Sequence, residues 1–386
     1  MLTQPQTHDP RDTMLGRARV TDTPELEGFY DDLARQNSGA FWKRANAIEP
    51  WEPESRYRPT LWRYAAMRAL CLRAVELVRP EEAGRRVVTL LNDSDAGREH
   101  TAAVGWLFSG LQAMKPGEIT PAHRHTASAH RFIMEGGGAY TVVDGHHITL
   151  GANDYVLTPG GCWHDHGVAA DGQLSIWQDG LDIPLMNSLE TNFYAVYEAP
   201  AQTPAFPSND LPLSYGGGLR PDGVEAWTKP YSPMMVYRWA QVRDAIWNFA
   251  KVSEGSPFDG HIMRYANPLT GGWALQTMGA HMQMLKPGLH TRAHRHTGNV
   301  VYNVAQGHGY SVIGGERFDW REHDIFCVPA WTWHEHVNLD AQDETFLFSF
   351  NDFPVMEALG VRIEQPYEHH GGHQQVCNGR AGSNEG

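Results

Sequence analysis

Between Lys115 and His166 apolar and polar residues alternate with a period of two, interrupted by short glycine-containing turns, which is the pattern of half-buried strands. Tyr140-Thr141-Val142-Val143 and Ile148-Thr149-Leu150, joined across Asp144-Gly145, predict a tight hairpin. Residues 87–91 predict a strand ahead of this block, 106–112 one that leads into it and 173–182 one that closes it. Elsewhere the period turns helical. Thr23-Pro24-Glu25 combines a cap, a first-turn proline and an acidic first turn, with Leu26, Phe29, Tyr30 and Leu33 following on one face. That helical section continues to Phe41-Trp42. Further helices are expected over 61–78 and 242–249.

The alternating block occurs twice. Lys115-Pro116-Gly117, His123-Arg124-His125, Gly136–Gly138, Pro159, Trp163, His164 and His166 recur as Lys286-Pro287-Gly288, His294-Arg295-His296, Gly307–Gly309, Pro329, Trp333, His334 and His336. His294 follows His123 by 171 residues and His334 follows His164 by 170, one residue being lost between Gly138 and Gly145. A register held over about fifty positions predicts two copies of one domain. The chain therefore divides into an N-terminal arm with helices (1–85), a first β-barrel (86–197), a connection rich in Pro, Gly and Ser (198–255), a second barrel (256–357) and a flexible tail (358–386).

Composition narrows the function. A formal charge of −14 over 386 residues argues against nucleic acid or an anionic membrane as partner. No apolar run reaches the roughly 18 residues of a membrane span, and Met1-Leu2-Thr3-Gln4 does not open a secretory signal. Four cysteines, Cys71, Cys162, Cys327 and Cys377, are too few and scattered for a disulfide framework. A cytoplasmic protein is expected, with Cys162 and Cys327 as ordinary core thiols.

The chemistry lies in the histidines. On a strand His123 and His125 point to one face, and His164 returns 39 residues after His125. Two neighbouring histidines and one from a later strand make an open metal site, suited on residues alone to Fe, Zn, Cu or Ni. His294, His296 and His334 repeat the set as a possible second metal site. The carboxylate that often follows such a His-x-His pair is absent; His130 stands near that position, either as an extra ligand or packed away from the metal. Gln112, Gly110 and Phe108, on the strand entering the first block, are candidate pocket residues, although Gly110 suits a close backbone approach equally well. Of the helix arginines Arg63, Arg68 and Arg73, one either reaches an anion in the barrel or all three lie in solvent. His369, His370 and His373 in the tail either hold an adventitious ion or belong to disordered chain.

Several segments together resemble the gentisate 1,2-dioxygenase family, which includes salicylate and 1-hydroxy-2-naphthoate dioxygenases. They are Pro121-Ala-His-Arg-His-Thr126, Arg131-Phe-Ile-Met-Glu-Gly136, Trp163-His-Asp-His-Gly167, Trp177-Gln-Asp-Gly-Leu-Asp-Ile-Pro184 and Asn267-Pro-Leu-Thr-Gly-Gly272. The resemblance implies a mainly β bicupin fold, two double-stranded β-helix (jelly-roll) barrels behind an N-terminal helical section, assembled as a homotetramer. It implies Fe(II) on His123, His125 and His164, with O2 and an aromatic carboxylate bearing an ortho hydroxyl as substrates. Gentisate comes first, and 1-hydroxy-2-naphthoate or salicylate are the alternatives. Arg131 would hold the carboxylate, with Arg68 as the next candidate. His166 would hydrogen-bond the substrate and relay a proton, and Asp179 would orient one of them. At residue 302, 171 beyond Arg131, the second barrel has tyrosine, which favours chemistry in the first. Gly110, where gentisate enzymes tend to carry alanine, would widen the pocket. A Zn or Mn cupin isomerase or hydrolase is the reading from another class.

Overall fold

The structure is a computed structural model that describes residues 20–222 and 227–377. Residues 1–19 lie outside the described residues, as do 378–386 of the tail expected to be flexible. The chain separates into a unit ending at Glu54 and one from Ser55 onward. In the first, the helix Pro24–Arg35 starts as expected, Thr23 Oγ1 accepting from the Leu26 amide at 3.3 Å. A second helix, Phe41–Ile48, places the Trp42 indole N–H 3.2 Å from the Tyr30 hydroxyl.

The second unit is two antiparallel barrels, each made of a six-stranded and a five-stranded sheet. In the first barrel the larger sheet runs Val236–Tyr237, Tyr155–Thr158, Ala129–Glu135, Ser175–Leu181, Phe108–Met114, Val87–Thr89. The smaller runs Tyr194–Val196, Ile119–His125, His164–Val168, Ala139–Val143, His146–Thr149. The second barrel repeats the order. Its larger sheet runs Thr60–Trp62, Ile325–Val328, Val300–Gln306, Thr345–Asn351, Gly279–Leu285, His261–Arg264, and its smaller sheet Glu316–Arg321, His308–Ile313, His334–Asn338, His294–His296, Glu364–Pro366. The predicted hairpin forms, Asp144 and Gly145 both adopting positive φ as the tight two-residue turn requires.

The edge strands are exchanged. Thr60–Trp62 precedes the first barrel but pairs with Ile325–Val328 of the second, while Val236–Tyr237 precedes the second barrel and pairs with Tyr155–Thr158 of the first. Each is followed by a helix held at its start by the other barrel. Asp324 accepts from the Tyr64 amide at 2.7 Å and from Arg63 at 3.0 Å. Asp154 accepts from the Trp239 amide at 2.9 Å and from Arg238 at 2.7 Å. The repeat thus begins further upstream than its histidine motifs, and domains bounded at 86–197 and 256–357 leave out one strand of each larger sheet. The helix expected over 61–78 is a strand followed by the helix Tyr64–Leu77, and that expected over 242–249 extends over Trp239–Val252. The tail expected to be flexible is packed as far as Cys377: Glu364–Pro366 pairs with His294–His296, and the Cys377 amide donates to Gly315.

The two larger sheets face each other across a continuous core. Phe132 stacks on Phe348 with ring centroids 4.2 Å apart, His130 meets Phe350 edge-on at 4.4 Å, and Asn303 donates to Gln178 at 2.8 Å. Phe132 and Phe348 are fully buried, a contribution of about 1.5–3 kcal/mol for each such side chain. Cys162 and Cys327 are buried and unpaired, as expected of core thiols. Among the described residues no helix is long and apolar enough to cross a membrane.

The exchanged helices supply a test. Asp154→Asn and Asp324→Asn each place an amide N–H against donors that need an acceptor. Each is expected to lower unfolding free energy by about 1–3 kcal/mol, read from urea denaturation. Values within the error of wild type would show that these carboxylates do not hold the exchange together.

Candidate metal centre and active site

His123 and His125 lie on the strand Ile119–His125, and His164 opens the neighbouring strand, with His123 and His164 in register. Each ring is fixed by its own strand. Nδ1 of His123 donates to the Pro121 carbonyl at 2.7 Å, that of His125 to Ala127 at 2.7 Å and that of His164 to Cys162 at 3.0 Å. The proton therefore sits on Nδ1, which leaves Nε2 unprotonated. Nε2 of His123 and of His164 is buried without a partner, and the three residues bring ligand atoms within 4.8 Å of one another. Burial lowers His123 to about 4 and His125 to about 3, and takes His164 well below its ordinary range, so all three are neutral at pH 7. Three converging imidazoles with unprotonated Nε2 atoms, two of them without a partner, fit a divalent metal ion.

His166 lies two residues on and faces the same way. The Thr141 hydroxyl donates to the Asp165 carbonyl at 2.9 Å, so it can only accept from His166 Nδ1 at 2.8 Å. Nε2 of His166 is consequently a bare acceptor, buried and unpartnered. Arg131 and Asp179 are cross-strand neighbours, with Nε 3.1 Å from Oδ1 and both side chains 5% exposed. Arg131 also donates to Thr158 Oγ1 at 2.7 Å. Burial lowers Arg131 to about 10, still cationic at neutral pH. Its charge helps to hold all four histidines neutral.

A second cation reaches the centre that the sequence reading missed. Arg85 Nη1 lies 3.3 Å from His125 Nε2, and the guanidinium sits 5.8 Å from the Tyr194 ring, which itself stacks on His123. No sequence pattern marked it. Arg85 stands in the bend before the strand Val87–Thr89, and Arg86 beside it is committed to Glu118 at 2.6 Å.

A cupin-domain family profile matches residues 110–183 and 281–350, the two histidine-bearing barrels. 5-Aminosalicylate 1,2-dioxygenase of Comamonas sp is 36% identical, the match covering 91% of this chain and 93% of that protein. Gentisate 1,2-dioxygenase 1 of Aquipseudomonas alcaligenes is 34% identical over 88% and 95%. The chain belongs to this family of ring-cleaving 1,2-dioxygenases. Among solved structures, salicylate 1,2-dioxygenase of Pseudoaminobacter salicylatoxidans, in adducts with gentisate, superposes with a TM-score of 0.82 at 29% identity, covering 90% of this chain and 95% of that one. Membership sets aside the isomerase or hydrolase alternative.

Within this dioxygenase scaffold several expected residues fall elsewhere. Arg68 is 42% exposed and paired with Glu135 at 2.6 Å; the cations at the triad are Arg131 and Arg85, so Arg68 is no longer a candidate for the substrate. His130 faces away from the triad into the interface between barrels, and is not a ligand. Gln112 is buried beside the centre and donates to Thr120 at 3.0 Å. Gly110 stands in register with Asp179, near Phe108, but the space its side chain would take is filled: a Cβ there would lie 2.5 Å from Val87 Cγ1 and 3.1 Å from the Val88 carbonyl. The missing methyl therefore does not simply widen the pocket.

The second barrel brings His294, His296 and His334 equally close. Its surroundings differ. The Arg131–Asp179 pair is replaced by Tyr302 opposite Ser349, and Tyr302 stacks on Phe326 at 4.9 Å. The triad borders a cavity of about 410 Å³ whose charged lining includes Asp259, Glu357 and Glu364 beside Arg264 and Arg362. The two arginines there lie against carboxylates, Arg264 3.6 Å from Glu357 and Arg362 3.6 Å from Glu364.

Two predictions follow from these placements. Alone, Gly110→Ala is expected to destabilise the fold by about 1–3 kcal/mol through overpacking, and Val87→Ala in the same chain to recover most of the loss, as a double-mutant cycle in urea would show. His130 is pushed down to about 3, chiefly by burial. The unfolded chain, with an ordinary histidine near 6.5, binds more protons below that pH, so stability falls as pH drops from about 6.5 toward 3. His130→Phe should reduce that slope by up to about 1.4 kcal/mol per pH unit, measured by denaturation at pH 4.5 to 7; an unchanged slope would mean that His130 is protonated in the folded chain.

Proposed function

We propose that the first barrel holds Fe(II) on His123, His125 and His164 and cleaves the ring of a 2-hydroxybenzoate between the carboxyl-bearing and hydroxyl-bearing carbons, with both atoms of O2 entering the product. The observation that carries this is the convergence of three proton-free Nε2 atoms beside a buried arginine. Bound iron supplies the redox chemistry by which O2 and an aromatic ring can react, which redox-silent zinc would not.

The chain's own residues supply the rest. Arg131, kept planar and oriented by Asp179 and Thr158, offers a fork to the substrate carboxylate. Arg85 adds a second positive charge at the mouth, where Tyr194 covers His123. His166 presents an unprotonated Nε2, suited to accept the proton of the ring hydroxyl, while Thr141 keeps its other nitrogen occupied. Burial of Arg131, Asp179 and His166 excludes water and strengthens each charge–dipole contact.

Gentisate is the favoured substrate. Its 5-hydroxyl stands para to the 2-hydroxyl and makes the ring easier to oxidise, and a 5-amino group acts in the same sense. The similarity to both gentisate and 5-aminosalicylate dioxygenases supports a 5-substituted ring. A homotetramer accords with the exposed apolar strip Leu189, Phe193, Tyr194 and Val196 on the edge of the first barrel.

The test is O2 uptake after anaerobic Fe(II) loading, with gentisate, 5-aminosalicylate, salicylate and 1-hydroxy-2-naphthoate. His123→Ala is expected to lose turnover, and His294→Ala to keep a substantial part of it. Arg131→Lys, which keeps the charge but not the fork, should lower kcat/KM by about tenfold or more. Turnover that vanishes in His294→Ala while iron remains in the first barrel would place the chemistry in the second.

A further inference from the structure

The strand His334–Asn338 directs His334 and His336 into the second barrel, so Glu335 between them points outward. Its side chain is 1% exposed. One carboxylate oxygen is committed: Oε1 accepts from the Gln374 amide at 3.1 Å. The other, Oε2, lies 3.0 Å from His373 Nδ1 and 3.5 Å from His290 Nε2, and the two imidazoles sit with centroids 4.1 Å apart. Ligand atoms of all three residues fall within 4.8 Å of one another. One carboxylate oxygen bonded to one histidine does not account for a second ring at this distance.

The first barrel serves as an internal control. There Asp165 occupies the outward position, and a glutamine again inserts behind it. Gln202 accepts from Gly145 and donates to Val142, as Gln374 accepts from Gly315 and donates to Val312. The positions equivalent to His290 and His373 are then Ile119 and Ala201. The same docking device works without either histidine. The second copy differs by acquiring two imidazoles and a carboxylate one methylene longer, all three facing one point.

We propose that His290, Glu335 and His373 form a third metal site, on the outer face of the second barrel, for a divalent transition ion of the zinc class. Two neutral imidazoles and one carboxylate are a zinc donor set that leaves a position for water. His290 and His373 are 39% and 35% exposed, so an ion can enter from solvent. Because His373 belongs to the C-terminal segment and His290 to the barrel, the ion fastens that segment down. The segment includes the strand Glu364–Pro366, which pairs with His294–His296 and so buttresses the second triad.

The experiment is amide hydrogen exchange of the full-length enzyme, freed of metal and then given Zn(II), read over residues 367–377. The amides of Tyr367, Gln374 and Cys377, each hydrogen-bonded back to the barrel, are the reporters. Zinc is expected to slow their exchange by about tenfold or more, as a ligand binding only the docked state must. The effect should persist in His334→Ala, which removes a ligand from the buried triad, and disappear in the double variant His290→Ile with His373→Ala, which restores the residues of the first barrel. Exchange unaffected by zinc in the wild type would leave a hydrogen-bonded pair only and overturn the proposal, as would protection that survives in the double variant. Should the double variant not fold, anomalous scattering at the zinc edge from wild-type crystals decides: a peak among the three side chains supports the site and a map without one refutes it.

Discussion

The first triad depends on three backbone hydrogen bonds made by buried side chains. Each histidine gives its Nδ1 proton to a carbonyl of its own chain segment, two residues away in every case. That one constraint fixes the tautomer, the ring plane and the direction of the lone pair together. Burial then keeps the rings neutral, and the strand period brings two of them to one face. The Thr141–His166 contact applies the same logic one position further along, producing an acceptor next to the ligands instead of a further ligand. Metal affinity and proton acceptance are therefore both set by how the main chain is hydrogen-bonded, before any ion or substrate arrives.

Much of this was legible in the sequence because period-two alternation survives in one dimension. His-x-His, the returning third histidine and the doubling of the block were visible without coordinates, as were the hairpin at Asp144-Gly145 and the start of the first helix. What was lost depends on partners distant in the chain. Arg68 and Arg85 are both plausible cations on inspection, and only the positions of Glu135 and His125 tell them apart. Gly110 carries no mark to show that Val87 fills its vacancy. The tail reads as polar and glycine-rich, and its order rests on individual hydrogen bonds from Gln374 and Cys377 that composition does not reveal.

The two barrels show how far one scaffold can diverge while its ligand positions stay fixed. Interior positions 131 and 179 carry a cation and an anion, and their counterparts carry Tyr302 and Ser349. Outside, the pair Ile119 and Ala201 is answered by His290 and His373. Divergence has thus placed anion recognition inside one copy and imidazole-rich chemistry on the skin of the other, around strands of matching order.

The exchange of edge strands governs how such a protein comes into being on the ribosome. Tyr64 meets Asp324, 260 residues further along the chain. The helix that begins there is made early and must wait, its partner still unsynthesised, while the whole first barrel and the connection emerge. The first barrel in turn lacks its own edge until Val236–Tyr237 has been made. Each copy takes one edge strand from the other half of the chain, and a chain halted between them has the larger sheet of the first barrel one strand short. Duplication here produced an interlocked pair, so that a gene cut at the apparent midpoint would encode two fragments, each missing a strand that the other holds.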